Sequence, residues 1–352
     1  MIVITTPVGQ IGRQVLGNLL ESGEQLRVIA RDPSQLPADI REDLDIVEGS
    51  HGDTAVVDKA FAGADAVFWL TPADPRAPSV EAAFADFARP AAEAFKRHGV
   101  GRVVGVSMLG RGTPWADRAG FVTASLAMDD LIAASGVAYR ALTNPYFMED
   151  TVRQAESIKN QDVFSYPIAG DRKLPAVATR DIATAASRLL LDARWSGAGE
   201  VPLLGPEDLS YTDMAEIMSQ VLGKDVRFQR ITFEAYKDRF VRLGMSNAMA
   251  QGYTDMARAK NEGLDNGVQR TRKTRRRPAF ANGAKRCSRR RSPRKHRLAR
   301  THKGRPMPAS KTSEPHTGRV ALVTGAVHGI GQAIAAGLTE RGTRVVLATS
   351  TR

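Results

Sequence analysis

The amino-acid sequence predicts an α/β protein built on a doubly wound parallel sheet, and three observations carry that expectation. Six short runs rich in β-branched residues recur through the first 143 residues, helical apolar patterns separate them, and a glycine-containing turn follows the first run directly. Runs of four to six residues that are apolar on both faces suit strands covered by helices on either side. Strand–helix–strand repetition then implies right-handed crossovers.

The elements follow in order. MIVIT (1–5) opens the series. Ile11, Val15, Leu16, Leu19 and Leu20 recur at helical spacing behind it, and Gly23 closes that helix. LRVIA (26–30), LDIV (44–47), AVFWL (66–70), RVVGVS (102–107) and AYRALT (138–143) supply the other strands. A long helix is expected between Pro78 and His98, ended by Gly99. From Tyr146 to Gly263 the rhythm turns helical, in TRDIATAASRLLLD, SYTDMAEIMSQVLG and FEAYKDRFVRLG, with short strand candidates at VPLL and VRFQRI. That part is expected to form a smaller α/β lobe capping the carboxyl ends of the sheet, with no solenoid-type repeat.

Charge is distributed very unevenly. The net charge is +12, yet residues 268–312 hold 18 of the 50 Lys and Arg and no Asp or Glu. The rest of the chain carries 32 basic against 38 acidic groups, so the body is acidic and the basic character is local. No apolar run approaches the ~20 residues that span a bilayer. The opening MIVITT has neither the basic segment nor the apolar stretch of a signal peptide. A single cysteine, Cys287, excludes an internal disulfide framework and a cysteine-rich zinc site. A cytoplasmic protein is expected.

The first strand runs straight into TPVGQIGRQV. A turn of this kind lets backbone approach a diphosphate while the next helix offers free N–H groups to its charge. Gly9 and Gly12 supply the missing Cβ atoms, and Thr6 stands where the common pattern has its first glycine. A preceding strand, a following amphipathic helix and a βαβ unit of ~30 residues make this a Rossmann-type dinucleotide site. At the end of the second strand, Arg31 points to the 2′-phosphate of NADP, while the adjacent Asp32 keeps NAD open.

TTPVGQIG, ARDPSQLP, EGSHGD…KAFAGADAVFWLTP, VSMLGRG and RALTNPYFMED together resemble the NmrA-like branch of atypical short-chain dehydrogenases over residues 1–267. That branch includes quinone-reductase-like enzymes and dinucleotide-sensing regulators. The resemblance implies that Thr6, Pro7, Gly9, Gln10, Ile11 and Gly12 surround the pyrophosphate and that Asp53 lies near the adenine. It also implies that Leu70, Thr71 and Pro72 line the cofactor on its way to the nicotinamide.

Conventional members of the superfamily use a Tyr-x-x-x-Lys pair to protonate the carbonyl that receives hydride. Where that pair belongs, this chain reads AGFVTASLAMDDLIAASG. Ser107, at the end of a central strand, is a candidate to hydrogen-bond a substrate oxygen. Asn144 and Tyr146, in the NPYF turn, are expected to face the same cleft, Tyr146 either donating a proton or packing in the core. Trp69 and Trp115 line an apolar pocket or fill the core. His51 and His98 have no partner at metal or triad spacing and are read as surface or loop residues.

Residues 268–312 have no apolar periodicity, contain Phe280 as their sole aromatic, and are expected to be disordered. A nucleic-acid-binding tail and a solvated linker are both compatible with them. The preferred expectation is out-of-frame translation of a GC-rich gene, because Met307 opens what resembles the start of a separate conventional short-chain dehydrogenase. Its TGAVHGIG turn holds Thr324, Gly325, Gly329 and Gly331. Residues 313–352 then form an incomplete βαβ fragment, expected to bind nothing useful by itself. The functional expectation is an NADP-dependent reductase of a quinone, an enone or a similar small electrophile. The alternatives are a non-catalytic NAD(P) sensor acting on a regulatory protein and a nucleic-acid-associated protein working through the basic segment.

Overall fold

The computed structural model describes residues 1–270, 320–324 and 344–348. Residues 1–213 and 228–270 belong to one compact unit, and residues 214–227 and the two C-terminal strands fall outside it.

All six expected strands form: β1 (Ile2–Thr5), β2 (Leu26–Ala30), β3 (Asp45–Glu48), β4 (Ala66–Trp69), β5 (Arg102–Met108) and β6 (Ala138–Asn144). Between them run α1 (Gly12–Leu19), a single turn α2 (Ala38–Arg41), α3 (Thr54–Phe61), α4 (Phe87–Arg97) and α5 (Phe121–Ala134). The chain continues through β7 (Tyr146–Phe147), α6 (Ala155–Gln161), β8 (Val163–Tyr166), β9 (Leu174–Val177), α7 (Thr179–Leu191), β10 (Ala198–Pro202) and β11 (Asp208–Leu209). Then come α8 (Tyr211–Leu222), β12 (Arg227–Arg230), α9 (Phe233–Arg242) and α10 (Asn247–Asn261).

Seven strands make one sheet in the order β10-β6-β5-β4-β1-β2-β3, and every pairing in it is parallel. This is the doubly wound arrangement, and its order reverses between β1 and β4. The carboxyl ends of those two strands therefore open the crevice where such folds bind ligands. Helices cover both faces, as the two-sided apolar strands require. On one face Phe61, Phe95 and Met128 from α3, α4 and α5 pack with Trp69 and Tyr139. On the other, Val15, Leu16 and Leu19 of α1 and Ile182, Ala186 and Leu190 of α7 pack with Ile4 and Phe68. Leu20, expected on the same stripe, is exposed instead. A smaller three-stranded sheet, β11-β9-β7, and the pair β12-β8 complete the structure after β6.

The helix expected between Pro78 and His98 forms with a local irregularity. Residues Ala82–Asp86 take a π-type turn just before α4, which contains Pro90. Proline has no N–H for the carbonyl four residues back and its ring crowds that carbonyl, so the backbone widens ahead of it. The widened turn lies at the rim of the cleft described below.

At the C-terminus, β13 (Val320–Thr324) and β14 (Arg344–Ala348) pair in parallel from Val320↔Arg344 to Thr324↔Ala348. They coincide with the two strands expected of the second glycine motif. The turn with Gly325, Gly329 and Gly331, its helix, and the basic residues from 271 to 312 lie outside the described residues.

Candidate active site

The β1–α1 turn is shaped by close approach of backbone to backbone. A Cβ on Gly12 would sit 2.0 Å from the Thr6 carbonyl oxygen, and one on Gly9 would sit 3.3 Å from the same atom. Gly12 is thus required by the turn itself. Thr6 adopts a left-handed backbone (φ +50°), which costs a non-glycine residue about 1–2 kcal/mol. This is the position where the wider pattern carries glycine. The Gly9 amide donates to Thr6 O and the Arg13 amide to Gly9 O, each at 3.0 Å. The amides between them, of Gln10, Ile11 and Gly12, make no such bond among the described residues and open at the head of α1. The Thr6 hydroxyl is buried against this cradle without a hydrogen-bond partner. Free amides at the head of α1, behind a tight turn that only glycine can close, fit a diphosphate, so the residues present suit a dinucleotide.

The two residues that follow the second strand are held differently. The Asp32 carboxylate accepts from Ser34 N at 3.0 Å, Ser34 Oγ at 2.6 Å and Gln35 Nε2 at 3.0 Å. Those bonds, led by the Ser34 hydroxyl, hold its pKa below the ordinary carboxylate value. Asp32 is thereby turned into its own loop. Arg31 is exposed and lines the cleft. Asp53 caps α3, accepting from Ala55 N at 2.9 Å and Val56 N at 3.3 Å. It is not among the cleft-lining residues.

A cavity of about 890 Å³ runs from Arg31, Ser50 and His51 past Leu70, Thr71 and Pro72 to Ser107 and Ser125. Phe84 and Phe87 of the π-turn region, Phe121, Phe147 and Tyr253 also line it, together with the charged Asp74, Arg76 and Arg153. Thr5 ties the floor: its hydroxyl donates to Phe68 O at 3.1 Å and accepts from Leu70 N at 3.0 Å. The expected cofactor residues Arg31 and Leu70–Pro72 and the expected substrate residue Ser107 therefore share one cleft.

Other expected residues lie elsewhere. Asn144 is 1% exposed, and its amide donates to Ser107 O at 3.1 Å and Leu142 O at 2.6 Å. It fastens the strand end that carries Ser107. Tyr146 bonds Thr151 Oγ1 at 3.1 Å and sits edge-on to Tyr166 and Tyr211, and burial raises its pKa. Neither residue lines the cleft. Trp69 fills the core, and Trp115 is half-buried beneath the Arg118 guanidinium.

His51 departs most from its sequence reading, since it is only 5% exposed. Its Nε2 donates to Leu70 O at 3.0 Å, and its ring stands edge-on to Trp69 and Phe87, each with centroids 5.0 Å apart. Burial lowers its pKa to about 4. Among the described residues no cluster of three or more His, Cys, Asp or Glu could hold a metal, and no helix is long and apolar enough to cross a membrane.

Ser107 stands on a buried polar group that sequence reasoning missed. Its hydroxyl bonds the Asp129 carboxylate and lies 3.2 Å from Ser125 Oγ. Tyr139 OH donates to the other Asp129 oxygen at 2.6 Å. Ser107, Ser125 and Asp129 are 1–3% exposed. Burial outweighs the two hydroxyls and the distant Arg111, raising the Asp129 pKa to about 7. Ser125 and Asp129 are one helical turn apart on α5, which is largely apolar. A Cβ on Gly105 would sit 2.3 Å from Tyr139 OH, so that glycine admits the phenol. The signal was present as Ser125 and Asp129, spaced i, i+4 on one face of a helix that also carries Thr123 and Asp130.

Residues 8–192, from the glycine turn to the residue that follows α7, match the NAD(P)H-binding family. The chain belongs to that family, in its NmrA-like branch of atypical short-chain dehydrogenases. A (4-alkanoyl-5-oxo-2,5-dihydrofuran-3-yl)methyl phosphate reductase of Streptomyces griseus is 31% identical over 237 residues, covering 67% of this chain and 78% of its own. An NAD(P)H azoreductase of Xenophilus azovorans is 25% identical over 256 residues, 73% of this chain and 86% of its own. The NADPH complex of an NADPH-dependent quinone oxidoreductase from Escherichia coli shares the fold with a TM-score of 0.64 at 23% identity, covering 75% and 90% of the two chains. This NmrA-like protein is accordingly one of a family of NAD(P)H-dependent reductases, and its cofactor is NAD(P)H.

Proposed function

We propose that this NmrA-like protein is an NADPH-dependent reductase of small conjugated carbonyl compounds, quinones or enones. The reading rests on one observation: a single cleft is lined by the exposed Arg31, the Leu70–Pro72 segment, Ser107 and a set of aromatic side chains. When bound, NADPH supplies hydride. The amides of Gln10, Ile11 and Gly12 and the Thr6 hydroxyl hold the diphosphate, with Pro7 and Gly9 shaping the turn. Arg31 pairs with the 2′-phosphate, Asp32 being bonded to Ser34 and Gln35 instead of to the guanidinium, and Asp53 lies at the adenine end. Ser107 donates to the substrate oxygen that gains charge, its strand end held by Asn144. Phe84, Phe87, Phe121 and Tyr253 stack on a flat ring and exclude water. The substrate side draws on segments after residue 146, although within 146–267 β10 joins the main sheet and α7 packs against it.

Quinones and enones are strong electrophiles whose reduced oxygen is readily protonated. A site without the Tyr-x-x-x-Lys pair suits them better than simple ketones. The Streptomyces relative is named for a ring bearing oxo and alkanoyl groups, which is the same kind of electron-poor target. Steady-state NADPH oxidation against a panel of quinones and enones tests the reading. Saturable turnover that depends on Ser107, with Ser107→Ala losing kcat, is expected. Tight NADPH binding with no turnover on any member would overturn it in favour of a sensor.

A further inference from the structure

The Asp129 group has no role in the function proposed above, yet it is costly to bury. A carboxyl placed among Tyr139, Met128 and the apolar face of α5 loses its hydration, and Ser107 and Tyr139 return only two hydrogen bonds. Of the residues bonded to it, Ser107 alone lines the cleft, beside Ser125. The charged groups around it are few. Arg111, in the loop after β5, is held by Asp130 of α5 at 2.8 Å and by Glu200 of β10 at 2.6 Å. Tyr139 comes from β6, Ser107 from β5, and Ser125 from α5 itself.

Resting on the reductase reading, we propose that Asp129 stores the proton that Ser107 delivers to the reduced substrate. The hydrogen-bond arithmetic allows this in one direction only. Tyr139 OH is committed to Oδ1, so a protonated Asp129 carries its hydrogen on Oδ2 and donates it to Ser107 Oγ. The serine hydrogen is then free to point into the cleft. As hydride from the dihydronicotinamide adds to the substrate carbon, the C=O electron pair moves onto oxygen. That oxygen takes the Ser107 hydrogen, and Ser107 Oγ takes the hydrogen from Asp129 Oδ2. Asp129 is left a carboxylate accepting from Ser107 and Tyr139, and regains a proton from solvent once product leaves the cleft. Asp129 acts through Ser107 and touches no substrate. Its pKa of about 7 lets it both give up and recover the proton near neutral pH.

Two variants of the full-length protein test the relay. Asparagine in place of Asp129 would keep both hydrogen bonds, accepting from Tyr139 and donating to Ser107, but has no proton to pass. Wild-type kcat is expected to decline as pH rises through about 7; Asp129→Asn is expected to lower quinone-dependent kcat roughly 100-fold, leave the NADPH Kd unchanged, and abolish that decline. Tyr139→Phe removes a donor that favours the carboxylate. It should therefore move that decline upward by about one pH unit, a response that loss of packing alone would not give. Infrared difference spectra of the cofactor-free protein supply a readout apart from activity. A protonated carboxyl band should vanish with a midpoint near pH 7 in wild type and be absent in Asp129→Asn. An Asp129→Asn enzyme with the wild-type pH profile, or a carboxyl that titrates near its ordinary value, overturns the relay while leaving the reductase reading standing. Absence of turnover in wild type, with the infrared band intact, overturns the reductase reading and the relay with it.

Discussion

The two ends of the proposed cofactor-to-substrate path are built by different means. At the β1–α1 end, whose residues 6–12 are not among those lining the cleft, the working groups are backbone amides, and side chains matter mainly by their absence at Gly9 and Gly12. At the β5–α5 end the backbone is ordinary strand and helix, and the working groups are Ser107, Ser125, Asp129 and Tyr139, gathered from three elements. A backbone site tolerates many side chains but no added Cβ at its closest point. A side-chain site tolerates backbone neighbours but depends on each of its polar members. The two ends should therefore fail in different ways.

The largest effect is expected at Gly12. A methyl group there meets the Thr6 carbonyl at 2.0 Å, so Gly12→Ala must displace the turn and the amides behind it. Losing two charge-assisted hydrogen bonds weakens NADPH binding by roughly 100-fold or more, read by calorimetry alongside a thermal melt that checks folding. Arg31→Ala should act more selectively, raising the NADPH Kd about 10- to 100-fold while NADH binding is unchanged. Equal loss for both nucleotides would contradict the 2′-phosphate role.

A smaller effect separates the two ends by the sign of their pH response. His51, at the cofactor end, is depressed from 6.5 to about 4. Across that window the unfolded chain binds a proton that the folded protein does not, so stability falls as pH drops, by at most roughly 3 kcal/mol. Asp129, at the substrate end, is raised from 3.8 to about 7. There the folded protein holds the extra proton, and stability falls as pH rises through the window. Urea denaturation between these limits should show His51→Gln losing the acid-side decline, because glutamine still donates to Leu70 O, and Asp129→Asn losing the alkaline-side decline. Any variant whose slope changes in the opposite sense would break the comparison.

The same contrast explains what the sequence made legible. The strands of the main sheet, the glycine turn, Arg31 and Leu70–Pro72 are local signals: each lies within a few residues of a strand end, and fold topology carries those ends to one crevice. Ser107 was found for the same reason. Asp129 was not, because its meaning depends on Tyr139 ten residues later on a different element and on Gly105 leaving room for the phenol. Beside Asp130, which is exposed and paired with Arg111, it reads in sequence as half of an ordinary acidic pair. His51 was misread because its burial comes from Trp69 and Phe87, on β4 and α4. Asn144 and Tyr146 have the right address, the end of β6, but their side chains are taken up by Ser107 O and by the aromatic group around Tyr166. Strand-end position identifies a neighbourhood; side-chain direction depends on packing partners distant in the chain.

Calorimetric titration of NADPH and NADH into the full-length protein tests the cofactor end most directly. Saturable binding of NADPH, tighter than that of NADH, is the predicted result. No heat and no fluorescence response to either nucleotide at millimolar concentration would contradict the account.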